Sequence, residues 1–421
     1  MITSIRGFND ILPPETTLWQ HIEGAAREVF KVYGFSEIRV PVMEKTELFA
    51  KGIGDTTDIV EKEMYTFSDR NNESVTLRPE GTASVVRAYI EHRLCNMPCA
   101  KLYYIGPMFR YERPQKGRYR QFHQIGAEVL GISDPMSDAE TLDMLLAFFK
   151  KIGLDDIELQ LNSLGCKNCR PVYREKLKQF LSEKKEQLCD NCQRRIDTNP
   201  LRVIDCKSRK CVEVTDDAPS ILDYICNECK THFEEVKGYL YLFGAGYSIN
   251  PRMVRGLDYY TRTTFEITSD KLGSQNAVAA GGRYDGLVRE LGGPDVSGFG
   301  FAIGMERLAM LLKEGSGSTS HEAGIFIVCI GKEAETEGIR ILKELRERSL
   351  RAEIGYHDKG IKGQMKMADK LGARFTLILG DDEISKREIT FKDMKTGVQE
   401  KVDIEGIAER VIDEIAQVKK V

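Results

Sequence analysis

No stretch of this sequence stays apolar for long enough to cross a membrane, which excludes a spanning helix. Met1 to Glu15 holds no apolar core flanked by positive residues, so no secretory leader is expected and the protein is expected to be cytoplasmic. Charge of one sign is missing too. The 61 basic residues stand against 65 acidic ones, a net charge of −4, so no global basic field announces nucleic acid and any such surface must be local. No segment repeats. The glycines of Ala279-Ala-Gly-Gly-Arg-Tyr-Asp-Gly286 are not followed by Gly-Lys-Ser/Thr, which excludes a Walker-type phosphate loop.

What is there suits a soluble globular protein: 421 residues, 41% hydrophobic and 30% charged, enough for two or three domains. Charge concentrates locally between Arg110 and Arg120, where five basic residues accompany one acid, Glu112. Pro114 and Gly117 predict a turn there, between an apolar lead-in over 101–109 and a returning strand over 121–130. Arginines held on strands suit a polyanion of fixed geometry, because the guanidinium forks onto phosphate or carboxylate. A solvated charged hairpin is the plainer alternative.

Helical spacing over 16–33 puts Leu18, Ile22, Ala25, Ala26, Val29 and Phe30 on one face, and a strand over 35–41 ends at Pro41. A second strand, 74–82, contains Arg78-Pro-Glu-Gly-Thr82. Glu80 could receive a substrate ammonium group, or Glu80 or Thr82 could simply cap the following helix. On the strand 121–130, Gln124, Gly126 and Glu128 share a side, so an amide and a carboxylate flank a gap fit for a small polar ligand, unless they form a structural hydrogen-bonded pair. Gly281 and Gly282 permit close backbone approach to a ligand, with Tyr284 beside them. Arg307 falls in the first turn of a helix from about Gly304, the end that favours anions.

Gly315-Ser-Gly-Ser-Thr-Ser320 reads as a linker. Beyond it, apolar strands at 324–330, 351–356 and 375–379 alternate with helices at 333–349 and 361–371, predicting a small α/β domain with a largely parallel sheet. With 19 basic and 19 acidic residues over 324–421, its charge identifies no partner.

Eight of the eleven cysteines lie between Cys166 and Cys229, in four pairs: Cys166/Cys169, Cys189/Cys192, Cys206/Cys211 and Cys226/Cys229. In a reducing compartment such pairs suggest two four-thiolate zinc sites, structural because no coordination position stays open. The segment 170–187 reads as one helix, and its 18 residues would span about 27 Å, so the first two pairs cannot share an ion. The expected groups are therefore Cys166, Cys169, Cys226 and Cys229, and Cys189, Cys192, Cys206 and Cys211. Free thiols without function are the alternative.

Over nearly its whole length the chain resembles the histidyl-tRNA synthetases, class II aminoacyl-tRNA synthetases. Residues 34–41, 109–124 and 298–308 resemble class II motifs 1, 2 and 3, while Arg255-Gly-Leu-Asp-Tyr-Tyr260 and 280–286 resemble the two histidine-specific motifs. The resemblance implies an α+β architecture: an antiparallel-sheet catalytic domain over 1–320, interrupted by a helical, cysteine-rich insertion over 165–247, then an α/β anticodon-binding domain over 324–421. It implies activation of L-histidine by ATP with Mg²⁺, transfer to the 3′ end of histidine tRNA, and a homodimer built partly on motif 1. Arg110 would hold the α-phosphate with the histidine carboxylate, Arg255 would approach from the other side, and Arg307 and Arg118 would grip the far phosphates. Glu112 would meet the adenine. Glu80, Gly81, Thr82, Gln124, Glu128, Tyr259, Tyr260 and Tyr284 would form the histidine pocket, and Arg113 and Gln115 would face the tRNA acceptor end. A non-catalytic regulatory subunit of histidine biosynthesis is the competing reading. Such paralogues typically lack the anticodon domain and some substrate residues, which this chain keeps. A general nucleic-acid scaffold is disfavoured by the net charge.

Overall fold

Alternation along Gln121–Leu130 organises the molecule: Ile125, Ala127 and Val129 enter the core, and Gln124, Gly126 and Glu128 take the opposite face. The structure is a computed structural model and describes residues 1–54, 57–115, 117–273, 276–315, 324–356 and 359–418. The linker expected over 315–320 lies outside the described residues beyond Gly315. The chain divides into two compact units, 1–317 and 318–421.

In the first unit, chain order gives α1 (Glu15–Val32), β1 (Ser36–Glu37), β2 (Met43–Lys45), α2 (Thr46–Ile53), β3 (Tyr65–Ser68), β4 (Ser74–Leu77), α3 (Thr82–Glu91), β5 (Ala100–Phe109), β6 (Gln121–Leu130), α4 (Pro135–Lys151) and β7 (Glu158–Ser163). A helical segment follows: α5 (Cys169–Glu183), α6 (Asp190–Thr198), α7 (Leu201–Ile204), α8 (Arg209–Val214) and α9 (Asn227–Leu242). Then come β8 (Ser248–Ile249), β9 (Thr261–Thr268), β10 (Ala277–Arg283), α10 (Leu287–Glu290), β11 (Gly298–Gly304) and α11 (Met305–Gly315).

The main sheet runs β1-β5-β6-β11-β10-β9-β7-β8. Its six central strands are antiparallel, and only the two-residue edge strands β1 and β8 pair in parallel. One face is sealed by α1, α4 and α9, with Ile22 and Phe30, Phe148 and Phe149, and Phe233 and Leu240 packed against Phe265, Phe299 and Phe301. The opposite face is left for chemistry.

Three expectations need correction here. The strand predicted over 74–82 ends at Leu77, since Pro79 has no N–H for a ladder and α3 begins at Thr82. The strand predicted over 35–41 shrinks to β1, because beyond Ile38, whose N–H still donates to the Tyr103 carbonyl at 2.8 Å, the backbone turns to other partners: Arg78 Nη1 donates to the Val40 carbonyl at 3.0 Å, and Pro41 has no N–H for a ladder. The helix predicted over 170–187 ends at Glu183, and a separate 3₁₀ turn, Lys185–Gln187, follows it.

The second unit comprises β12 (Gly324–Cys329), α12 (Lys332–Glu347), β13 (Ala352–Ile354), α13 (Ile361–Lys370), β14 (Ala373–Leu379), α14 (Asp381–Lys386), β15 (Glu388–Asp393), β16 (Gln399–Asp403) and α15 (Ile407–Val418). The continuous apolar run of β12 is explained by burial on both faces: Ile325 and Ile327 meet Ile341 and Phe375, while Phe326 and Val328 meet Ala368. Its sheet, β13-β12-β14-β15-β16, is mixed rather than largely parallel. The crossover strands β13, β12 and β14 are parallel, but β15 and β16 add an antiparallel hairpin.

Candidate active site

The open face of the main sheet carries a cleft of about 280 Å³ lined by residues from β6, β10 and β11, the loop after β5, the start of α3 and the segment before β9. Arg110, Glu112, Arg118, Gln124, Arg255, Tyr259, Tyr260, Arg307, Glu80 and Thr82 all line it. Register fixes its polarity. Glu128 pairs with Gly300 and Gln124 with Gly304, about 13 Å further along β6. Arg307, three residues beyond Gly304, therefore stands at the Gln124 end, away from Glu128.

The Glu128 end is closed and acidic. Glu128 has no solvent exposure and accepts hydrogen bonds from Thr82 Oγ1 (2.7 Å) and Tyr284 Oη (2.6 Å). Burial pushes its carboxyl up to about 8, against the pull of those hydrogen bonds and with added repulsion from Glu80. Glu80 is raised by burial too, and accepts the Thr82 and Ala83 backbone N–H groups at 2.7 and 2.8 Å. It therefore caps α3 while its side chain also lines the cleft. The rings of Tyr259, Tyr260 and Tyr284 form a wall, with Tyr259 centred 4.7 Å from Tyr260 and 5.7 Å from Tyr284.

The other end is cationic. Arg110 donates its Nε to the Pro79 carbonyl at 2.8 Å, and its guanidinium lies over Phe122. Arg255 donates to Glu266 Oε1 at 2.5 Å and lies over the Tyr260 ring. Arg307 donates to the Ala277 carbonyl at 2.7 Å. Its ionisation is lowered by burial first and then by the charges of Arg118 and Arg110. Like charges held together in a partly desolvated cleft favour an incoming anion. Arg118 pairs with Glu112, so that carboxylate already has a partner within the loop.

Other assignments change. Gly81 and Gly126 do not leave room for a ligand: a Cβ at either would strike the ring of Tyr104, which fills the space the glycines free. Tyr104 is buried, and burial holds its ionisation well above the usual phenol range. Sequence reading missed it, although the β5–β6 register sets Tyr104 directly opposite Gly126. Gly281 and Gly282 serve strand contact rather than ligand approach, since a Cβ there would meet the backbone of Gly300 and Phe301 or of Thr263 and Thr264. Arg78 is a buried backbone clamp, donating to the Pro107 carbonyl at 2.8 Å. Arg113 and Gln115 are exposed on the loop and do not line the cleft. Glu266, which orients Arg255, was also missed; its alternation with Thr264 and Thr268 on β9 was the available signal.

Away from the cleft, the eight cysteines gather as Cys166, Cys169, Cys226 and Cys229, and as Cys189, Cys192, Cys206 and Cys211, with the sulfurs of each group within 4.8 Å of one another. A tetrahedron of ~2.3 Å zinc–sulfur bonds sets sulfurs about 3.8 Å apart. The Cys166–Cys169 and Cys169–Cys229 separations are 3.5 and 3.9 Å, far longer than a disulfide bond. The thiols thus fit a zinc ion.

The family profile described as histidyl-tRNA synthetase matches residues 7–308. The chain belongs to the histidyl-tRNA synthetase family. Residues 324–414 match the profile of an anticodon binding domain. A histidine–tRNA ligase from Geobacter metallireducens is 58% identical over 97% of this chain and 98% of its own length. One from Geobacter sulfurreducens is 56% identical over 98% of this chain and all of its own. The crystal structure of apo Staphylococcus aureus histidyl-tRNA synthetase superposes with a TM-score of 0.80 at 39% identity, over 97% of this chain and 99% of that one. Histidyl-tRNA synthetase relatives thus span both units, the class II sheet and the C-terminal domain alike. Among the described residues, no helix is long and apolar enough to cross a membrane.

Proposed function

We propose that the chain activates L-histidine with ATP and transfers the histidyl group to the 3′ end of histidine tRNA. The observation that carries this reading is one cleft joining four arginines, Arg110, Arg118, Arg255 and Arg307, to an end lined by Glu80, Thr82, Tyr259 and Tyr260, with Glu128 and Tyr284 buried behind Thr82 and joined to it by hydrogen bonds. The first set suits a nucleotide's phosphates. The second suits an amino acid with an ammonium group and two ring nitrogens.

In the first step a histidine carboxylate oxygen attacks the α-phosphorus, the bond to the bridging oxygen breaks, and pyrophosphate leaves. Arg110 and Arg255 stabilise the charge that builds on the α-phosphate, and Arg307 with Arg118 holds the departing phosphates. Mg²⁺ bound to ATP would neutralise further phosphate charge. Glu112 meets the adenine once Arg118 is drawn towards phosphate. In the second step a hydroxyl of the terminal ribose attacks the acyl carbon and AMP leaves. Hydrogen bonds to both ring nitrogens would leave buried polar groups unpaired with any other amino acid, giving selectivity of about 10⁴ without editing.

Arg113 and Gln115 would meet the acceptor end of the tRNA, and residues 324–421 its anticodon. We assign 1–320 to the catalytic domain, 165–247 to its insertion, and 34–41 to part of a homodimer interface. Both four-cysteine groups would hold structural zinc. Histidine-dependent exchange of pyrophosphate into ATP tests the reading. A regulatory subunit would bind histidine without supporting exchange.

A further inference from the structure

The segment that carries Arg255, Tyr259 and Tyr260 has almost no regular structure of its own, since residues 253–260 belong to no helix or strand. Its carbonyls therefore need partners from elsewhere. Arg170 supplies two: Nη1 donates to the Asp258 carbonyl at 3.2 Å and Nη2 to the Tyr260 carbonyl, so the guanidinium straddles Tyr259. Arg170 follows Cys169 directly, and the Cys166 carbonyl accepts both the Cys169 and the Arg170 N–H at 3.1 Å. The turn between the two thiols thus fixes where Arg170 starts. The other two thiols belong to α9, with Cys226 immediately before it and Cys229 in its first turn. Further along, Phe233, Val236 and Leu240 anchor α9 in the main core. The Cys226 N–H donates to Cys169 Sγ at 3.0 Å, closing the group.

We propose that zinc held by Cys166, Cys169, Cys226 and Cys229 is a positioning element of the histidine pocket, tying the start of α5 to α9 so that Arg170 holds the backbone on both sides of Tyr259. This rests on the activation of histidine proposed above. The ion stands outside the cleft and takes no part in the reaction; its effect passes through Arg170. Without it, four clustered thiols no longer share a partner, the α5 start loosens, and the tyrosine wall loses its rear support.

The experiment uses the full chain. Zinc content is measured for the wild type and Cys226→Ser. Histidine affinity is measured by calorimetry, and KM for histidine and for ATP by pyrophosphate exchange, for both proteins and for Arg170→Ala and Arg170→Lys. We expect zinc in the wild type and less in Cys226→Ser. In Arg170→Ala, which leaves every thiol in place, we expect histidine affinity to fall about tenfold or more while KM for ATP stays within about twofold, with Arg170→Lys partly restored. Absence of zinc from the wild type would overturn the metal's part. Unchanged histidine affinity in Arg170→Ala, or an equal loss for histidine and ATP, would overturn the positioning role. If Cys226→Ser does not fold, Arg170→Ala still decides the positioning. Failure of the wild type itself to bind histidine is a different result and would overturn the functional reading together with this one.

Discussion

Tyr284 donates its hydroxyl to Glu128 at 2.6 Å, behind the wall of the cleft, where Glu128 has no solvent exposure and holds Thr82, which lines it. Burial raises the Glu128 carboxyl from 4.5 to about 8, so near neutral pH the empty pocket keeps its proton. The unfolded chain releases that proton at lower pH. Glu128 therefore contributes stability that is full below its unfolded value and is lost as pH rises through about 8. Glu128→Gln should flatten the fall in thermal stability across that window. A bound histidine offering N–H groups favours the carboxylate, so binding near pH 7 should release a proton. Calorimetry in buffers of different ionisation enthalpy would read it, and release by Glu128→Gln equal to the wild type would contradict the assignment.

Arg255 is oriented by Glu266, and the pair should act together. Arg255→Ala should lower the rate of pyrophosphate exchange by roughly 10²–10³, the usual effect of losing a preorganised charge at the reacting group. Glu266→Gln should cost less, because the arginine remains and only its orientation suffers. Circular dichroism should show both variants folded, and near-normal exchange by Arg255→Ala would remove its role.

Gly126 and Tyr104 occupy one space. Gly126→Ala pushes into a ring with no free volume and should destabilise by about 1–3 kcal/mol. Adding Tyr104→Ala removes the obstacle, so the double variant should be more stable than the sum of the single changes. Strict additivity in denaturant titrations would show that the ring is not what excludes a side chain at 126.

The buried pair of Arg283 and Asp138, both without solvent exposure, supports the strand that leads into Tyr284. Asp138→Ala should cost about 3–5 kcal/mol, because it strands a buried guanidinium. Urea titration measures this; a loss near zero would mean that Asp285, 3.2 Å from Arg283, compensates alone.

Much of the site was legible because it rests on short-range periodicity. The alternation of Gln124, Gly126 and Glu128 with Ile125, Ala127 and Val129 needs only the two-residue repeat of a strand. The length of the helix between Cys169 and Cys189 excludes one of the three ways of grouping the four cysteine pairs, and the fold selects between the other two. Tyr104 was hidden because its place depends on which residue of β5 faces Gly126. Arg170 was hidden for another reason: its acceptors are backbone carbonyls, which every residue has and no side chain advertises. The hairpin of β15 and β16 went unread because the two βαβ crossovers before it set a parallel pattern that the sheet does not continue.

Pyrophosphate exchange into ATP, measured on the full chain with Mg²⁺ and each of several amino acids, tests the central assignment most directly. We expect exchange with L-histidine and none above background with the others. Folded protein that shows no histidine-dependent exchange, or exchange equally supported by another amino acid, would contradict it.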